Sequence, residues 1–325
     1  MKAAVRSRYG PPELVRIAEV DTPAIGDGDV LVKVHATTVN RTDCSYRAAK
    51  PFFMRAITGL ARPRRRILGT EYAGVVEAVG ADVTSFAVGD RVFGYNEGPF
   101  GAHAEYLKVP QDALIAIMPE GLTFEKAAAG TEGSHYALWF VQVAGVEAGH
   151  DVLVYGATGA IGSATVQLLK QQGATVTAVC ATAHVELVKG LGADRVVDYT
   201  VQDFTQDEQT YDVVFDAVGK SSFRRCRKLL KPRGVYLSSE LGAGCQNVLL
   251  PFITPLFRGR RVKFPLGKTN QETIRYLAKL METGEFKPVI DRRYPLEQIV
   301  DAYRYVETGQ KVGNVVVTIV PPDPS

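Results

Sequence analysis

One apolar stretch near the middle of the 325-residue chain runs directly into a glycine-rich turn: Val152-Leu153-Val154-Tyr155-Gly156-Ala157-Thr158-Gly159-Ala160-Ile161-Gly162. The residues before Gly156 are typical of a buried strand, and a helical pattern follows over 161–172. In such a unit Gly156 permits the tight turn, Gly159 lets backbone N–H groups approach a pyrophosphate, and Gly162 lets the helix pack closely on the strand. The stretch therefore predicts a dinucleotide-binding turn.

Strands and helices alternate on both sides of this turn within residues 126–265, with further strands expected at 175–180, 195–198, 213–216 and 235–239 and a further helix at 184–191. This alternation predicts an α/β domain with a doubly wound parallel sheet of the Rossmann type. Residues 1–125 instead carry short alternating segments broken by Gly and Pro, which predicts a β-rich domain. Residues 266–325 add two helices, over 271–283 and 296–307, and a last strand over 313–320.

Composition and charge exclude several classes of protein. The chain is 46% hydrophobic and 22% charged and has a net charge of +3, values typical of a globular protein and not of a disordered one. This small net charge indicates neither a nucleic-acid partner nor a membrane partner, and no stretch reaches the roughly 18 to 20 apolar residues of a membrane span. The four cysteines are far apart, which argues against a disulfide framework. We expect a cytoplasmic protein.

The end of the second predicted strand bears on which nicotinamide cofactor is bound. An NAD site usually has Asp or Glu there to bond the ribose 2′-hydroxyl, whereas this chain reads Val179-Cys180-Ala181-Thr182-Ala183-His184. The missing carboxylate removes a repulsion against a 2′-phosphate and favours NADPH. Thr182 and His184 could donate to the phosphate, and Lys189 and Tyr199 could close the pocket. Alternatively, Thr182 and His184 cap the helix that begins near Val185.

Ordered motifs along nearly the whole chain resemble those of the medium-chain dehydrogenase/reductase superfamily, specifically its zinc-independent quinone oxidoreductase (zeta-crystallin-like) branch. They include Tyr9-Gly10-Pro11-Pro12-Glu13, Val39-Asn40-Arg41-Thr42-Asp43, Leu68-Gly69-Thr70-Glu71-Tyr72-Ala73-Gly74, Leu191-Gly192-Ala193-Asp194 and Phe215-Asp216-Ala217-Val218-Gly219. The resemblance implies a chaperonin-10-like β-rich catalytic domain over 1–125 and 266–325, with the Rossmann domain of 126–265 inserted. It also implies that Val218 and Asn314, with Lys311 as a further candidate, contact NADPH. Two residues of the turn, Thr158 and Ala160, depart from the pattern of this branch.

The resemblance also bears on metal binding. Zinc alcohol dehydrogenases of the same superfamily hold their catalytic zinc with Cys and His at positions where this chain has Asn40 and Thr70, and Glu132 falls near the third ligand. An amide and a hydroxyl are poor zinc ligands, so we expect no metal.

Candidate catalytic residues follow from the same resemblance. Asn40 could donate a hydrogen bond to a carbonyl oxygen that gains negative charge, or it could be a buried amide that fixes a turn. Tyr46 and Tyr9 could contact substrate or could be packing residues. Tyr136 stands where relatives usually have a small hydroxyl residue, one helical turn from Glu132, and we expect it to alter substrate selectivity. Asp43 and Arg47, at i and i+4, should form an ion pair.

These observations favour an oxidoreductase that transfers hydride from NADPH to a quinone or an α,β-unsaturated carbonyl compound without zinc. The alternatives are an NAD(P)-dependent alcohol dehydrogenase and a nucleotide-binding regulatory protein without turnover. Superfamily members often pair their Rossmann domains, so the resemblance implies a homodimer. The arginines at 55, 62 and 64–66, which follow Phe52 and Phe53, could attract an acidic or acyl-CoA substrate or could be a solvated loop.

Overall fold

The computed structural model describes residues 1–257, 259–265 and 270–320, and the side chain of residue 57 is excluded. Elements are numbered in chain order. The strands are β1 (Lys2–Val5), β2 (Arg16–Glu19), β3 (Asp29–Val39), β4 (Glu71–Val79), β5 (Arg91–Tyr95), β6 (Tyr106–Pro110), β7 (Ile115–Ile117), β8 (Asp151–Tyr155), β9 (Thr175–Cys180), β10 (Arg195–Asp198), β11 (Tyr211–Asp216), β12 (Leu230–Ser238), β13 (Arg261–Val262), β14 (Ile290–Pro295) and β15 (Asn314–Thr318).

The helices are α1 (Arg41–Ala48), α2 (Met54–Thr58), α3 (Phe124–Ala129), α4 (Glu132–Ala144), α5 (Ala160–Gln171), α6 (Val185–Gly190), α7 (Phe223–Cys226), α8 (Gln246–Ile253), α9 (Gln271–Glu282) and α10 (Ile299–Glu307). None of the described helices combines the length and apolar character needed to cross a membrane. The chain divides into two compact units. The first contains residues 1–132 and the described part of 269–325, and the second contains the described part of 133–268. The predicted division at 265/266 borders residues 266–269, which lie outside the described residues.

The first unit is built around the long strand β3. Strand β4 pairs with one edge of β3 over most of its length, and the other edge is shared by β6, opposite residues 29–33, and β15, opposite residues 36–39. The sheet order is β14-β15-β3-β4-β5-β7. One face of β3 is fully buried and carries the alternate residues Val30, Val32 and Val34. Helix α10 buries Ile299, Ala302, Tyr303 and Val306, the spacing of one helical face.

The second unit is a parallel sheet in the order β10-β9-β8-β11-β12-β13. The strand order reverses between β8 and β11, which is the switch point where ligands of such sheets bind at the carboxyl ends of the strands. The predicted Rossmann sheet is thus confirmed, and the predicted helix over 161–172 is α5, one residue earlier.

Some elements differ from the predictions. The helix expected from Leu296 starts as a 3₁₀ turn over Leu296–Gln298 and becomes α-helical at Ile299, and such 3₁₀ turns are frequent at helix N-termini. Strands β2, β7 and β13 were not predicted. Each has at most four residues, too few to show a period-2 pattern.

Candidate functional site

The glycine turn of the second unit has the geometry that its sequence predicts. Gly156 has φ +82°, and a Cβ atom added there would lie 1.8 Å from Cγ2 of Val218. A Cβ at Gly162 would lie 2.1 Å from the carbonyl oxygen of Gly156. Glycine is therefore required at the first position by conformation and contact, and at the third by contact alone.

The turn leaves room for an anion at the start of α5. Gly159 is the N-cap residue of this 12-residue helix, and no side chain caps it. A Cβ at Gly159 would meet nothing closer than the Gly156 carbonyl oxygen at 3.8 Å. The first N–H groups of an α-helix have no partner within the helix and carry its positive dipole end. The residues at this turn thus fit a pyrophosphate.

The two departures from the branch pattern do not disturb the turn. Ala160 is the first residue of α5 and lies close to Gly133. A Cβ added at Gly133 would be 2.8 Å from the carbonyl group of Ala160 and 3.0 Å from its Cβ. Ala157 and Gly156 donate their N–H groups to the carbonyl of Val179, each over 3.2 Å, which fixes the turn to β9. Thr158 is half-buried and Ile161 lies in the first turn of α5.

Asp216, at the carboxyl end of β11, organises the other side of the switch point. Its fully buried carboxylate accepts the N–H groups of Val218 (3.1 Å), Gly219 (2.7 Å) and Ser221 (2.9 Å), and Tyr236 donates its hydroxyl to it over 3.1 Å. It therefore positions Val218 against Gly156. Sequence reasoning missed this role, although an Asp at a strand end before a Gly is a recognisable turn signal.

The end of β9 is not free of carboxylates in three dimensions. Thr182 donates its hydroxyl to Oδ2 of Asp198 over 2.5 Å, and Thr200 contacts the same carboxylate with its N–H (2.8 Å) and hydroxyl (2.6 Å). These hydrogen bonds hold the pKa of Asp198 below its usual value. A carboxylate therefore lies at the end of the neighbouring strand β10, close to the end of β9, and sequence spacing within β9 could not reveal it.

The remaining residues predicted around the phosphate are distributed as follows. His184 is the N-cap residue of α6, but its side chain makes no capping hydrogen bond, and the Thr182 hydroxyl bonds to Asp198 and Thr200 instead of to the helix. Lys189 is exposed and pairs with Glu186 over 2.9 Å. Tyr199 is half exposed and donates its N–H to the carbonyl of Cys180, which keeps it beside the end of β9.

In the first unit, a buried polar cluster surrounds Glu71 at the start of β4. Its Oε1 accepts the hydroxyl of Thr131 (2.8 Å) and the N–H of Glu132 (2.6 Å), and its Oε2 accepts the hydroxyl of Thr38. Glu132 in turn accepts the hydroxyl of Thr42 over 2.5 Å. Burial, together with the nearby Glu71, raises the pKa of Glu132 well above the usual carboxyl value, because both disfavour its charged form.

Asn40 belongs to the same buried region and caps α1. Its Oδ1 accepts the N–H of Asp43 (2.9 Å), Asp43 accepts the Asn40 N–H in return (3.2 Å), and its Nδ2 donates to the hydroxyl of Thr70 (2.6 Å). The structure therefore shows the turn-fixing role of this amide, and one of its two Nδ2 hydrogens is committed to Thr70. Within the described residues, no three His, Cys, Asp or Glu side chains are grouped to hold a metal ion.

The predicted ion pair between Asp43 and Arg47 is wrong. Asp43 accepts the N–H groups of Asn40 and Gly69 (3.0 Å), whereas Arg47 pairs with Glu307 and donates to the carbonyl of Gly10. The buried Asp43 carboxylate is bound by two backbone N–H groups, and these bonds replace the predicted i, i+4 contact with Arg47. Burial raises the pKa of Asp43 to about 8.

The three tyrosines have different surroundings. Tyr46 is half-buried and its ring packs 4.6 Å from that of Phe100. Tyr9 donates its hydroxyl to the carbonyl of Gly59 over 2.8 Å. Tyr136, on α4 in the second unit, has its ring 5.1 Å from His135 and 5.7 Å from Trp139. Tyr46 thus makes a packing contact and Tyr9 a hydrogen bond to the backbone, while contact of either with substrate stays a prediction.

Near the C-terminus, Lys311 and Asn314 both bond to the backbone. Lys311 donates Nζ to the carbonyl of Gly313 (2.6 Å), and Asn314 donates Nδ2 to the carbonyl of Val289 (3.1 Å). Burial lowers the pKa of Lys311, while Glu132 and Glu71 are close enough to oppose this shift. Lys311 therefore lies close to the Glu71 cluster.

Comparison with known proteins agrees with these two units. Residues 26–120 match the alcohol dehydrogenase GroES-like domain, residues 191–317 the zinc-binding dehydrogenase family and residues 152–229 the NAD dependent epimerase/dehydratase family. The 2-methylene-furan-3-one reductase of Solanum lycopersicum is 33% identical over 99% of this chain and 80% of its own length. The NADPH-dependent alkenal/one oxidoreductase of Arabidopsis thaliana is 32% identical over the same shares. The quinone oxidoreductase structure from Coxiella burnetii superposes with a TM-score of 0.87 at 28% identity, covering 98% of this chain and 99% of that one.

A GroES-like β unit and a Rossmann unit with an intact glycine turn define a dehydrogenase or reductase that uses a nicotinamide cofactor. With end-to-end identity above 30% to curated relatives, the chain belongs to the medium-chain dehydrogenase/reductase superfamily of oxidoreductases, and its residues fit the zinc-independent branch.

Proposed function

We propose that this chain is an NADPH-dependent, zinc-independent reductase of quinones or α,β-unsaturated carbonyl compounds. The observation that carries the proposal is the glycine turn, where no side chain caps the start of α5 and a Cβ added at Gly159 would meet only the Gly156 carbonyl oxygen, at 3.8 Å. The names of the tomato and Arabidopsis relatives support the substrate class.

The residues proposed to contact the cofactor are the following. The turn Gly156–Gly162 and Val218 would bind the pyrophosphate region, Thr182, His184, Lys189 and Tyr199 would surround the 2′-phosphate, and Asn314, with Lys311, would be a further contact. NADPH supplies a hydride from its nicotinamide ring to an acceptor that needs no Lewis acid. The chain's own task is to orient the acceptor and to provide a hydrogen bond where its oxygen gains negative charge.

Asn40 is proposed to provide that hydrogen bond through the Nδ2 hydrogen that Thr70 does not accept. The capping box with Asp43 fixes the amide in one orientation, so its donor direction is preorganised. Zinc independence rests on the same pair: Asn40 and Thr70 bond to each other over 2.6 Å, and neither is a good zinc ligand.

Tyr46 and Tyr136 are proposed to contact the substrate. Tyr136 carries a bulky phenol where relatives usually have a small hydroxyl residue, so it should select for acceptor shape. Replacing Tyr136 by Thr should change the order of kcat/KM among a set of enones. Leu138→Val, which also shortens a side chain of α4, is the control and should keep the wild-type order. An unchanged order in Tyr136→Thr would contradict this role.

The activity is tested by titrating the purified protein with NADPH and NADH, followed by the decay of nicotinamide absorbance with 1,4-benzoquinone and with an enone. Each assay is repeated with a chelator and with an alcohol plus NADP⁺ or NAD⁺. Tighter binding of NADPH and chelator-insensitive reduction of the quinone or enone support the proposal.

Other outcomes select the alternatives. Chelator-sensitive alcohol oxidation would indicate an NAD(P)-dependent alcohol dehydrogenase, and binding without turnover on any acceptor would indicate a nucleotide-binding regulatory protein. Asn40→Ala with unchanged kcat and cofactor affinity would remove Asn40 from the proposed mechanism while leaving the activity itself established.

A homodimer is proposed on the exposed edge of the second unit's sheet. Strand β13 is the last strand in the sheet, and the preceding segment exposes large apolar side chains at Leu249, Phe252, Ile253, Leu256 and Phe257. Apolar patches of this kind mark association surfaces. Light scattering after gel filtration should give a dimer, and Phe252→Ser with Phe257→Ser should shift it towards monomer.

We also propose that the protein works in the cytoplasm. All four cysteines are free thiols, with Cys44, Cys180 and Cys226 buried and Cys245 exposed, a pattern that suits a reducing compartment. Fractionation of cells that produce the protein tests this placement.

A further inference from the structure

The segment between α1 and β4 concentrates positive charge in a way that the net charge of the whole chain conceals. Residues 44–70 contain seven cationic side chains and no acidic one, at Arg47, Lys50, Arg55, Arg62, Arg64, Arg65 and Arg66. Among the described residues, none of the exposed arginines at 62 and 64–66 forms a salt bridge. We call residues 50–66 the basic segment.

The basic segment is fixed to the rest of the first unit at both ends. The buried guanidinium of Arg6 donates to the carbonyls of Tyr46 (2.7 Å) and Arg47 (3.0 Å) before the segment and of Arg65 (3.3 Å) at its end. The Arg6 N–H also donates to the carbonyl of Arg66 over 2.9 Å. These bonds hold the segment as a defined surface.

Its middle is fixed as well. Tyr9 bonds through its hydroxyl to Thr58 (2.7 Å) and Gly59 (2.8 Å). The guanidinium of Arg55 lies over the rings of Tyr9 (5.2 Å) and Phe52 (4.9 Å). Arg55 therefore supports the Phe52 ring from the protein side.

Apolar side chains project from the same segment into solvent. The exposed fractions are 75% for Phe52, 54% for Phe53 and 77% for Leu60. These three apolar side chains are exposed although the segment that carries them is fixed by hydrogen bonds. Together with the arginines that form no salt bridge, they give a surface that is both apolar and cationic. A soluble anion would account for the arginines but would give no reason for three exposed apolar side chains.

We propose that the basic segment binds the surface of an anionic phospholipid bilayer, with Phe52, Phe53 and Leu60 entering the headgroup and acyl boundary and Arg62, Arg64, Arg65 and Arg66 contacting phosphate groups. Aromatic and leucine side chains beside Lys and Arg are the combination that favours this interface. The expectation of no membrane partner rested on the net charge of +3, which averages out this local concentration of arginines. Binding stands apart from the proposed reductase activity, but if both hold, it would bring the enzyme to apolar quinones and enones dissolved in the bilayer.

The test is co-sedimentation of the full chain with vesicles of phosphatidylcholine alone or mixed with phosphatidylglycerol, at low and at high ionic strength. Binding should appear with the anionic vesicles and weaken at high ionic strength. Arg64→Gln with Arg65→Gln should weaken it about tenfold or more, and Phe52→Ser with Phe53→Ser should weaken it even where salt screens the charges.

Matched controls carry the same chemical changes elsewhere. Arg224→Gln with Arg227→Gln removes two exposed charges from the second unit, and Val201→Ser removes an apolar side chain that is 80% exposed; both should bind like the wild type. Circular dichroism and NADPH titration verify that each variant is folded.

Equal binding to neutral and anionic vesicles, or equal loss in the control variants, would overturn the proposal. So would a result in which the paired arginine variant lowers kcat/KM for a soluble anionic substrate and leaves vesicle binding unchanged. That outcome would assign the arginines to substrate attraction. Vesicle binding by a protein that reduces no quinone or enone would refute the reductase and leave the bilayer surface intact.

Discussion

Glu132 donates its backbone N–H to Oε1 of Glu71 over 2.6 Å, so two buried carboxyl groups belong to one polar cluster. Their hydrogen bonds are unequal. Glu71 accepts from Thr38, Thr131 and Glu132, while the Glu132 carboxyl accepts from Thr42. Burial and the neighbouring Glu71 raise the pKa of Glu132 well above the usual carboxyl value. The two glutamates should therefore respond differently to the same substitution.

Glu132→Gln replaces a carboxyl group whose charged form is disfavoured by burial with a neutral group of the same shape, so it should cost no free energy of unfolding at neutral pH. Glu71→Gln puts an amide NH₂ where at least one donor, the Thr38 hydroxyl, now points and should cost about 1–3 kcal/mol. Because the pKa of Glu132 is higher in the folded than in the unfolded protein, the wild type loses stability as the pH rises above the unfolded carboxyl pKa of about 4.3, and Glu132→Gln should gain stability relative to the wild type over that rise. Urea unfolding over a pH series measures both effects; equal losses in the two variants at neutral pH would contradict this assignment.

Gly156→Ala should weaken NADPH binding about tenfold or more, equivalent to about 1.4 kcal/mol. The new Cβ would stand at φ +82° and 1.8 Å from Cγ2 of Val218, so the turn and Val218 must both move. Gly190→Ala is the matched control, because a Cβ at that helix position meets nothing within 4 Å. Fluorescence titration of both variants decides the point, and an undiminished affinity in Gly156→Ala would show that the turn does not bind the cofactor.

The sequence predicted the parts of this structure whose causes are local. The glycine turn, its strand and α5 are encoded within about twenty consecutive residues by apolar runs and glycine spacing, and all are observed. The Asp43–Arg47 pair was wrong because both partners are distant in sequence: Asp43 bonds Gly69, and Arg47 bonds Glu307, which is 260 residues away.

The cofactor-discriminating end of β9 shows the same limit. Inspection of Val179 to His184 could establish that no acid follows within that strand, but it could not show that β10 pairs in register with β9 and places Asp198 beside Cys180. Which strand ends are neighbours depends on the sheet order, and a single sequence does not encode that order in any short pattern.

Asp198→Asn should raise the preference for NADPH over NADH several-fold, with a larger effect at low ionic strength. The carboxylate now holds the Thr182 hydroxyl and adds negative charge where a 2′-phosphate is proposed to bind. Glu208→Gln is a matched charge change, since Glu208 precedes β11 and lies towards the amino ends of the strands. Titration with both nucleotides measures the preference; the same shift in both variants would indicate a general charge effect and not a local one.

Asp43→Asn should flatten the pH dependence of stability between about pH 6.5 and pH 8. Burial raises the pKa of Asp43 to about 8, so the folded protein binds one proton more than the unfolded chain in this range, and stability falls by about 1.4 kcal/mol per pH unit as pH rises. Below pH 6.5 the buried His103, whose pKa burial lowers to about 4, gives the opposite slope. The contribution of Asp43 above pH 6.5 is the part of the slope that Asp43→Asn removes, and Glu132, whose pKa is also raised, contributes to the slope that remains.

The measured quantity is the slope, because Asp43→Asn also loses one of two backbone hydrogen bonds and will be less stable at every pH. Asp90→Asn makes the same change at a partly exposed carboxylate that accepts the Ala87 N–H over 2.8 Å, and it should keep the wild-type slope. A slope in Asp43→Asn as steep as in the wild type would place the titrating group elsewhere.

Arg47 should couple energetically to Glu307 and not to Asp43. Its buried guanidinium bonds Glu307 and the Gly10 carbonyl and lies 5.2 Å from the centre of the Tyr303 ring, so Arg47→Met should cost about 2 kcal/mol or more. A double-mutant cycle with Glu307→Gln should give a coupling of about 1 kcal/mol, moderated because Glu307 is partly exposed. The cycle with Asp43→Asn should give a much smaller value, since the backbone N–H groups of Asn40 and Gly69 occupy that carboxylate. A larger coupling of Arg47 to Asp43 than to Glu307 would support the i, i+4 ion pair within α1. It would then be local contacts that fix α1, and not the bond from Arg47 to the end of α10.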